Sequence, residues 1–193
     1  MSNRNAFIVL EGVDGSGKTT VGKELSKRLG ARFYQTPSGF FRNCRDVVEN
    51  WHPMLRFFLY LSASIHSSFE ISRILKENPV VCDRYIYSTW TYHMVYGCKF
   101  LEHISLHWLP IRHPDTVYYL CVSKREREER ISSRRNNTKK DMDSDLLEKV
   151  DKVFKKLKIL VQINTTNRNK EEVVNTIFKH ICGSEKNILA LNP

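Results

Sequence analysis

No stretch of this sequence approaches the roughly eighteen uncharged apolar residues that a membrane-spanning helix needs. Residues 1–5 lead directly into a short strand-like run and not into the apolar core of a secretory signal. Both absences predict a soluble, cytoplasmic protein with no membrane partner. Cysteine is sparse and unpatterned: Cys44, Cys82, Cys98, Cys121 and Cys182 are odd in number and lack C-x-x-C spacing, which argues against a disulfide framework or a zinc site. They read as packing residues in a reducing compartment. Internal repeats, low-complexity tracts and linkers are missing, so the 193 residues read as one compact domain. Acidic residues are in deficit, 21 against 31 Lys plus Arg, and the resulting net charge of +10 favours phosphate-bearing partners. The basic excess is spread along the chain and thickens only over 124–140, without the basic stripe and interleaved aromatics of a dedicated nucleic-acid module. Small nucleotides, and not nucleic acid, are the expected partners.

What is present is a regular alternation. Residues 6–11 form a short apolar, β-prone run, followed by a helix-compatible stretch over 18–29 with Val21, Leu25 and Leu29 at helical spacing. Residues 31–34 read as a second strand and Thr36-Pro37-Ser38-Gly39 as a turn. The spacing predicts a long helix over 53–76, a buried strand over 80–82, and a helical, aromatic-rich segment over 88–108. Further strands are predicted at 116–122 and 159–163, with helices over 124–135, 145–158 and 170–181. Short apolar strands alternating with helices imply an α/β three-layer sandwich, in which a five-stranded parallel sheet is covered on both faces.

Gly12-Val13-Asp14-Gly15-Ser16-Gly17-Lys18-Thr19 satisfies G-x-x-x-x-G-K-[ST] in full and lies between a predicted strand and a predicted helix, the context that confirms a phosphate loop. Glycines let backbone N–H groups converge on an anion without Cβ clashes, and the helix N-terminus adds partial positive charge. ATP is the expected occupant, with Lys18 bridging the β- and γ-phosphates, Thr19 ligating Mg2+ and Thr20 adding a phosphate contact. An apolar strand ending in Asp83 reads as the second metal-binding element, holding the water shell of the ion; a helix cap is the alternative for an aspartate at a strand-to-helix junction. Neither an N-K-x-D guanine motif nor a D-x-x-G switch beyond the loop occurs, which disfavours a GTPase.

The run from Phe7 through Glu11, Gly12, Asp14, Gly15, Gly17, Lys18 and Thr19 to Thr20 resembles the E-G-x-D-G-x-G-K-T-T opening of the thymidylate kinase family. Asp83-Arg84-Tyr85 with Ser88, Thr89 and Tyr92 resembles that family's D-R-Y-x-x-S-x-x-x-Y. Pro114-Asp115, a basic lid over 124–142 and Glu171-Glu172-Val173 extend the resemblance over nearly the whole chain. It implies a P-loop nucleoside monophosphate kinase that converts dTMP to dTDP by direct in-line transfer from ATP, with Lys18, Arg84, Arg130 and Arg134 as catalytic residues. It further implies that Asp14 holds the 3′-hydroxyl of the acceptor, that Arg84 binds its phosphate, and that Tyr92 excludes a 2′-hydroxyl. Tyr60 would stack on the base, Thr89 would join the acceptor site, and two chains would form a homodimer through their long helices. The stretch 164–168 is the expected adenine contact.

Arg127, Arg130 and Arg134 recur at helical spacing, a like-charge face that an anion would relieve; a solvated helix with Glu126 paired to Arg130 is the alternative. The family's bacterial-type members carry R-x-x-x-R at Arg130–Arg134. The chain departs from the family at Gln35-Thr36-Pro37-Ser38, where R-E-P-G is usual, and at Ser64, where an arginine is expected four residues after the stacking aromatic. Arg42, Arg45, Arg56 or Arg73 are the candidates to compensate. A different nucleotide or nucleoside acceptor, or a degenerate ATP-binding regulator with little turnover, is the competing expectation.

Overall fold

The computed structural model describes residues 5–48, 50–133 and 143–190, and their side chains apart from those of 45, 46 and 184–190. Five parallel strands form one sheet: β1 (Phe7–Glu11), β2 (Arg32–Gln35), β3 (Val80–Asp83), β4 (Thr116–Cys121) and β5 (Leu160–Asn164), in the order β2-β3-β1-β4-β5. Side chains of a strand alternate between faces, and both faces of this sheet are apolar. Phe7, Val9, Val80, Cys82 and Tyr119 pack toward α4 (Pro53–Ile74), α5 (Ile86–Val95) and α7 (Ser144–Lys156) through Ile71, Ile86, Val150 and Phe154. Ile8, Leu10, Val81, Tyr118 and Leu120 pack toward α1 (Lys18–Leu29) and α8 (Lys170–Ala190) through Val21, Leu25, Val174 and Ile177. This is the three-layer α/β architecture that the alternation predicts.

Where elements end differently, local chemistry explains it. The short helices α2 (Gly39–Asn43) and α3 (Arg45–Val48) follow the expected turn, and the second strand is shifted by one residue. The aromatic segment does not run as one helix to residue 108. It stops at Val95, because Gly97 takes φ +96, and Cys98 N–H bonds back to His93 O at 2.9 Å. Two short 3-10 turns, Lys99–His103 and Leu106–Trp108, continue the chain. Helix α4 begins as predicted, with Pro53 in its first turn and the His52 ring capping Met54 N–H. Helix α6 (Lys124–Ser132) is shorter than expected, and Arg134, with the stretch 134–142 of the expected lid, lies outside the described residues. The parallel arrangement places the C-terminal ends of β1, β3 and β4 side by side, and the site assembles there.

Candidate active site

The loop between β1 and α1 holds Gly12, Gly15 and Gly17 at φ +154, +84 and +93, a sequence of turns that side chains would strain. A Cβ on Gly15 would meet Arg127 Cγ at 2.9 Å, so the loop is also packed tightly under α6. Ser16 and Val13 are buried, and Lys18 Nζ donates to Val13 O at 2.8 Å and to Ser16 Oγ at 3.4 Å. Lys18 is thereby folded back over the loop. Burial pulls its ammonium down to about 8, with the Arg84 charge acting in the same sense.

Thr19 Oγ1 donates to Asp83 Oδ2 at 2.5 Å, and Gln35 Nε2 donates to the same oxygen at 3.1 Å. The other oxygen, Asp83 Oδ1, is buried without a hydrogen-bond partner. An orphaned anionic oxygen beside a hydroxyl fits a hard cation. Among the described residues no cluster of three or more His, Cys, Asp or Glu could hold a metal by itself, and Mg2+ is typically held by one or two carboxylates together with substrate phosphates. Asp83 is not a helix cap. Glu11 performs that task, accepting from Tyr85 N–H (2.8 Å) and Ser88 N–H (3.1 Å) at Oε1 and from the Ser88 hydroxyl at Oε2 (2.5 Å). Burial raises the Glu11 carboxyl to about 7, against the lowering effect of the Ser88 bond and the Arg84 charge.

Arg84 follows β3 with φ +67, an uncommon conformation for a residue with a Cβ. Its carbonyl accepts from the Thr36 hydroxyl and the Cys82 thiol, both at 2.9 Å. Its guanidinium donates to Asp14 Oδ1 (2.5 Å), Ser88 Oγ (3.0 Å) and Gly12 O (3.3 Å). Burial alone would raise the Asp14 carboxyl, but the charges of Arg84 and Lys18 hold it well below the usual carboxylate range. Tyr92 donates its hydroxyl to Asp14 Oδ2 at 3.3 Å, and burial, reinforced by the Asp14 charge, pushes the phenol well above its ordinary value.

These groups open into one cleft of about 410 Å3. Lys18, Thr19, Thr20 and Asp83 line the cleft, as do Tyr60, Thr89 and Tyr92, the residues that the resemblance assigns to the acceptor; Arg56, offered only as one of four compensating arginines, and His93 and Tyr96, which the sequence did not single out, line it too. Of the four candidates to compensate for the missing arginines, only Arg56 reaches the cleft among the described side chains. Arg42 and Arg73 are exposed, and the side chain of Arg45 lies outside the described set. Arg130 stands over the loop, donating to Gly15 O (3.3 Å) and Thr165 O (2.9 Å) and pairing with Glu126 at 2.6 Å. The ion pair weighed as an alternative is therefore present, yet it does not leave Arg130 in solvent. Arg127 does not share an open cationic face with it: it is buried against Gly15 and donates to Ser144 Oγ. The expected adenine stretch lies beside the loop, with Thr165 Oγ1 within 3.4 Å of Ser16 O.

Comparison with known proteins agrees with this arrangement. The sequence profile of the family described as thymidylate kinase matches residues 10–177. A probable thymidylate kinase of Methanocaldococcus jannaschii is 33% identical over 187 residues, covering 92% of this chain and 96% of the relative. A thymidylate kinase of Neorickettsia sennetsu is 44% identical over 104 residues, 48% of this chain and 52% of the relative. The solved thymidylate kinase of Candida albicans has the same fold, with a TM-score of 0.78 at 18% identity over 96% of this chain and 94% of its own. With its phosphate loop, its Asp83-Arg84-Tyr85 corner and a profile match over most of its length, the chain belongs to the thymidylate kinase family.

Proposed function

We propose that this chain transfers the terminal phosphoryl group of ATP to the 5′-phosphate of dTMP, giving ADP and dTDP by direct in-line displacement. The observation that carries the reading is the continuity of the cleft: the phosphate loop and the Arg84, Asp14 and Tyr92 cluster open into one cavity, so donor and acceptor meet without a protein nucleophile. ATP would displace Lys18 Nζ from Val13 O, and the ammonium would then neutralise charge developing on the transferred group. Arg84 donates to Gly12, Asp14 and Ser88, and since a guanidinium has five donors it keeps capacity for the acceptor phosphate.

Thr19 and Asp83 would hold Mg2+, which supplies charge neutralisation across the phosphates when bound. Asp14 orients the sugar, and Tyr92, bonded to it, closes the space a 2′-hydroxyl would need. Arg130 and Arg134 belong to the lid over 124–142; Arg130 already contacts the loop through Gly15 O. The homodimer forms through α4, supported by the exposed apolar stripe Met54, Leu55, Phe58 and Phe69. A cytoplasmic setting is supported by five cysteines that are all free, and no helix among the described residues is long and apolar enough to cross a membrane.

The test is ADP release against a panel of dTMP, dUMP, dCMP, UMP and thymidine. We expect dTMP to be preferred and Lys18→Ala to lose turnover by at least about a thousandfold, the scale of removing a main transition-state contact. Preference for an unphosphorylated acceptor, or full activity of the Lys18 variant, would refute the assignment.

A further inference from the structure

We infer that Glu11 is a positioning residue for the acceptor, aiming the Arg84 guanidinium at the monophosphate by way of Ser88; this rests on the monophosphate kinase reading above. Glu11 is fully buried at the end of β1 and does not itself line the cleft. Its reach into the site runs through Arg84. The Arg84 backbone is held at both of its polar groups: the N–H donates to Leu10 O at 3.0 Å, and the carbonyl accepts from Thr36 and Cys82. The N–H of that same peptide, which belongs to Tyr85, donates to Glu11 Oε1 at 2.8 Å. The Arg84–Tyr85 peptide is thus gripped from both edges. A residue with a Cβ stays at φ +67 only where its surroundings over-determine it, and Glu11 supplies one of those holds.

The side chain is fixed by a second path. A hydroxyl has one proton to give and two lone pairs to offer. Ser88 gives its proton to Glu11 Oε2 at 2.5 Å, so it meets Arg84 Nη1, 3.0 Å away, as an acceptor. With the carboxylate gone, the hydroxyl can turn its proton toward the guanidinium and set donor against donor. Nη1 also donates to Gly12 O and Nη2 to Asp14 Oδ1. Gly12 follows Glu11 directly in the chain, so the last residue of β1 and the first of the phosphate loop steady one guanidinium from adjacent positions. If Glu11 did no more than cap α5, its loss would lower stability and leave acceptor binding as it was.

Glu11→Gln separates the two roles. Its carbonyl oxygen still serves the Tyr85 and Ser88 amides, while its amino group faces the Ser88 hydroxyl, so the cap is spared and the relay reversed. The decisive measurement is the KM for dTMP and for ATP in Glu11→Gln and Ser88→Ala, each made alone and combined with Arg84→Ala. Each single variant should raise KM for dTMP roughly ten- to a hundredfold, the scale of one hydrogen bond to a charged group, and leave KM for ATP unchanged. Combined with Arg84→Ala, neither should add a further loss, because groups that act through one another are not additive. If thermal melting shows Glu11→Gln unfolded at the assay temperature, Ser88→Ala carries the same comparison. An unchanged KM for dTMP in the folded single variants would overturn the inference and leave Glu11 a cap. A full further loss in the Arg84→Ala background would also overturn it, since the effect would then reach the acceptor by another route. Both outcomes leave the kinase reading intact; a wild type that phosphorylates no monophosphate removes both.

Discussion

At the scale of single residues, the site concentrates ionisable groups that burial has moved from their ordinary values. Glu11 is fully buried and titrates at about 7 instead of 4.5. An acid whose folded value is raised adds stability that is complete below pH 4.5 and is lost as pH climbs through 7. The shift corresponds to about 3 kcal/mol at most. Glu11→Gln keeps an oxygen for the Tyr85 and Ser88 amides but has no proton to lose, so its urea midpoint should change much less between pH 5 and pH 7.5 than that of the wild type. Identical pH dependence in the two proteins would show that Glu11 is not the titrating group. The cap formed by Glu11 was not visible in the sequence, where the residue is simply the last of an apolar run. Its partners lie 74 and 77 residues away, and only the pairing of β1 with β3 brings them together. Lys18, Thr19 and Asp83 were legible because the phosphate loop is contiguous and a strand-terminal carboxylate is a short-range pattern. Arg56 was legible only as one of several arginines, since the crossing of α4 over α5 decides which of them faces the cleft.

At the scale of elements, the phosphate loop and α6 behave as one packed unit. Arg127 Cγ and O, together with Ile131 Cγ1, lie within 3.2 Å of where a Gly15 Cβ would stand. Gly15→Ala would add the strain of φ +84 to this clash, and left-handed backbone alone costs about 1–2 kcal/mol. We expect a loss of about 2–3 kcal/mol in denaturant unfolding and a drop in ATP affinity of at least tenfold by calorimetry. Unchanged ATP affinity would mean that α6 can move without disturbing the cradle. The starts of the longer helices followed from periodicity, capping and proline to within two residues, the short α2 and α3 did not, and the stop after Val95 required the backbone of Gly97, which an aromatic-rich pattern continuing to residue 108 obscured. The like-charge face proposed for α6 also failed at this scale: periodicity placed the arginines on one side, but the loop of a different element took Arg127 into the core.

At the scale of the whole molecule, the apolar stripe on α4 departs from a well-hydrated surface. Leu55, Phe58 and Phe69 are 57%, 51% and 68% exposed, and residues three, four and seven apart share a helix face. Pairing two copies through this face would cover it. Phe58→Asp places a charge in that contact, and sedimentation should then report 22.7 kDa in place of twice that mass, with the fold retained. A wild type that is already monomeric at micromolar concentration would remove the interface. The sheet order itself has a consequence for biosynthesis. Strand β1 is made first, but Phe7 pairs with Val80 and Ile8 with Thr116, so both its edges wait for later chain. At ribosomal speeds the second partner follows on the order of ten seconds after the first strand. Throughout that interval the nascent chain displays an open-edged apolar segment, which makes the first strand a natural client for a chaperone until β4 has been made.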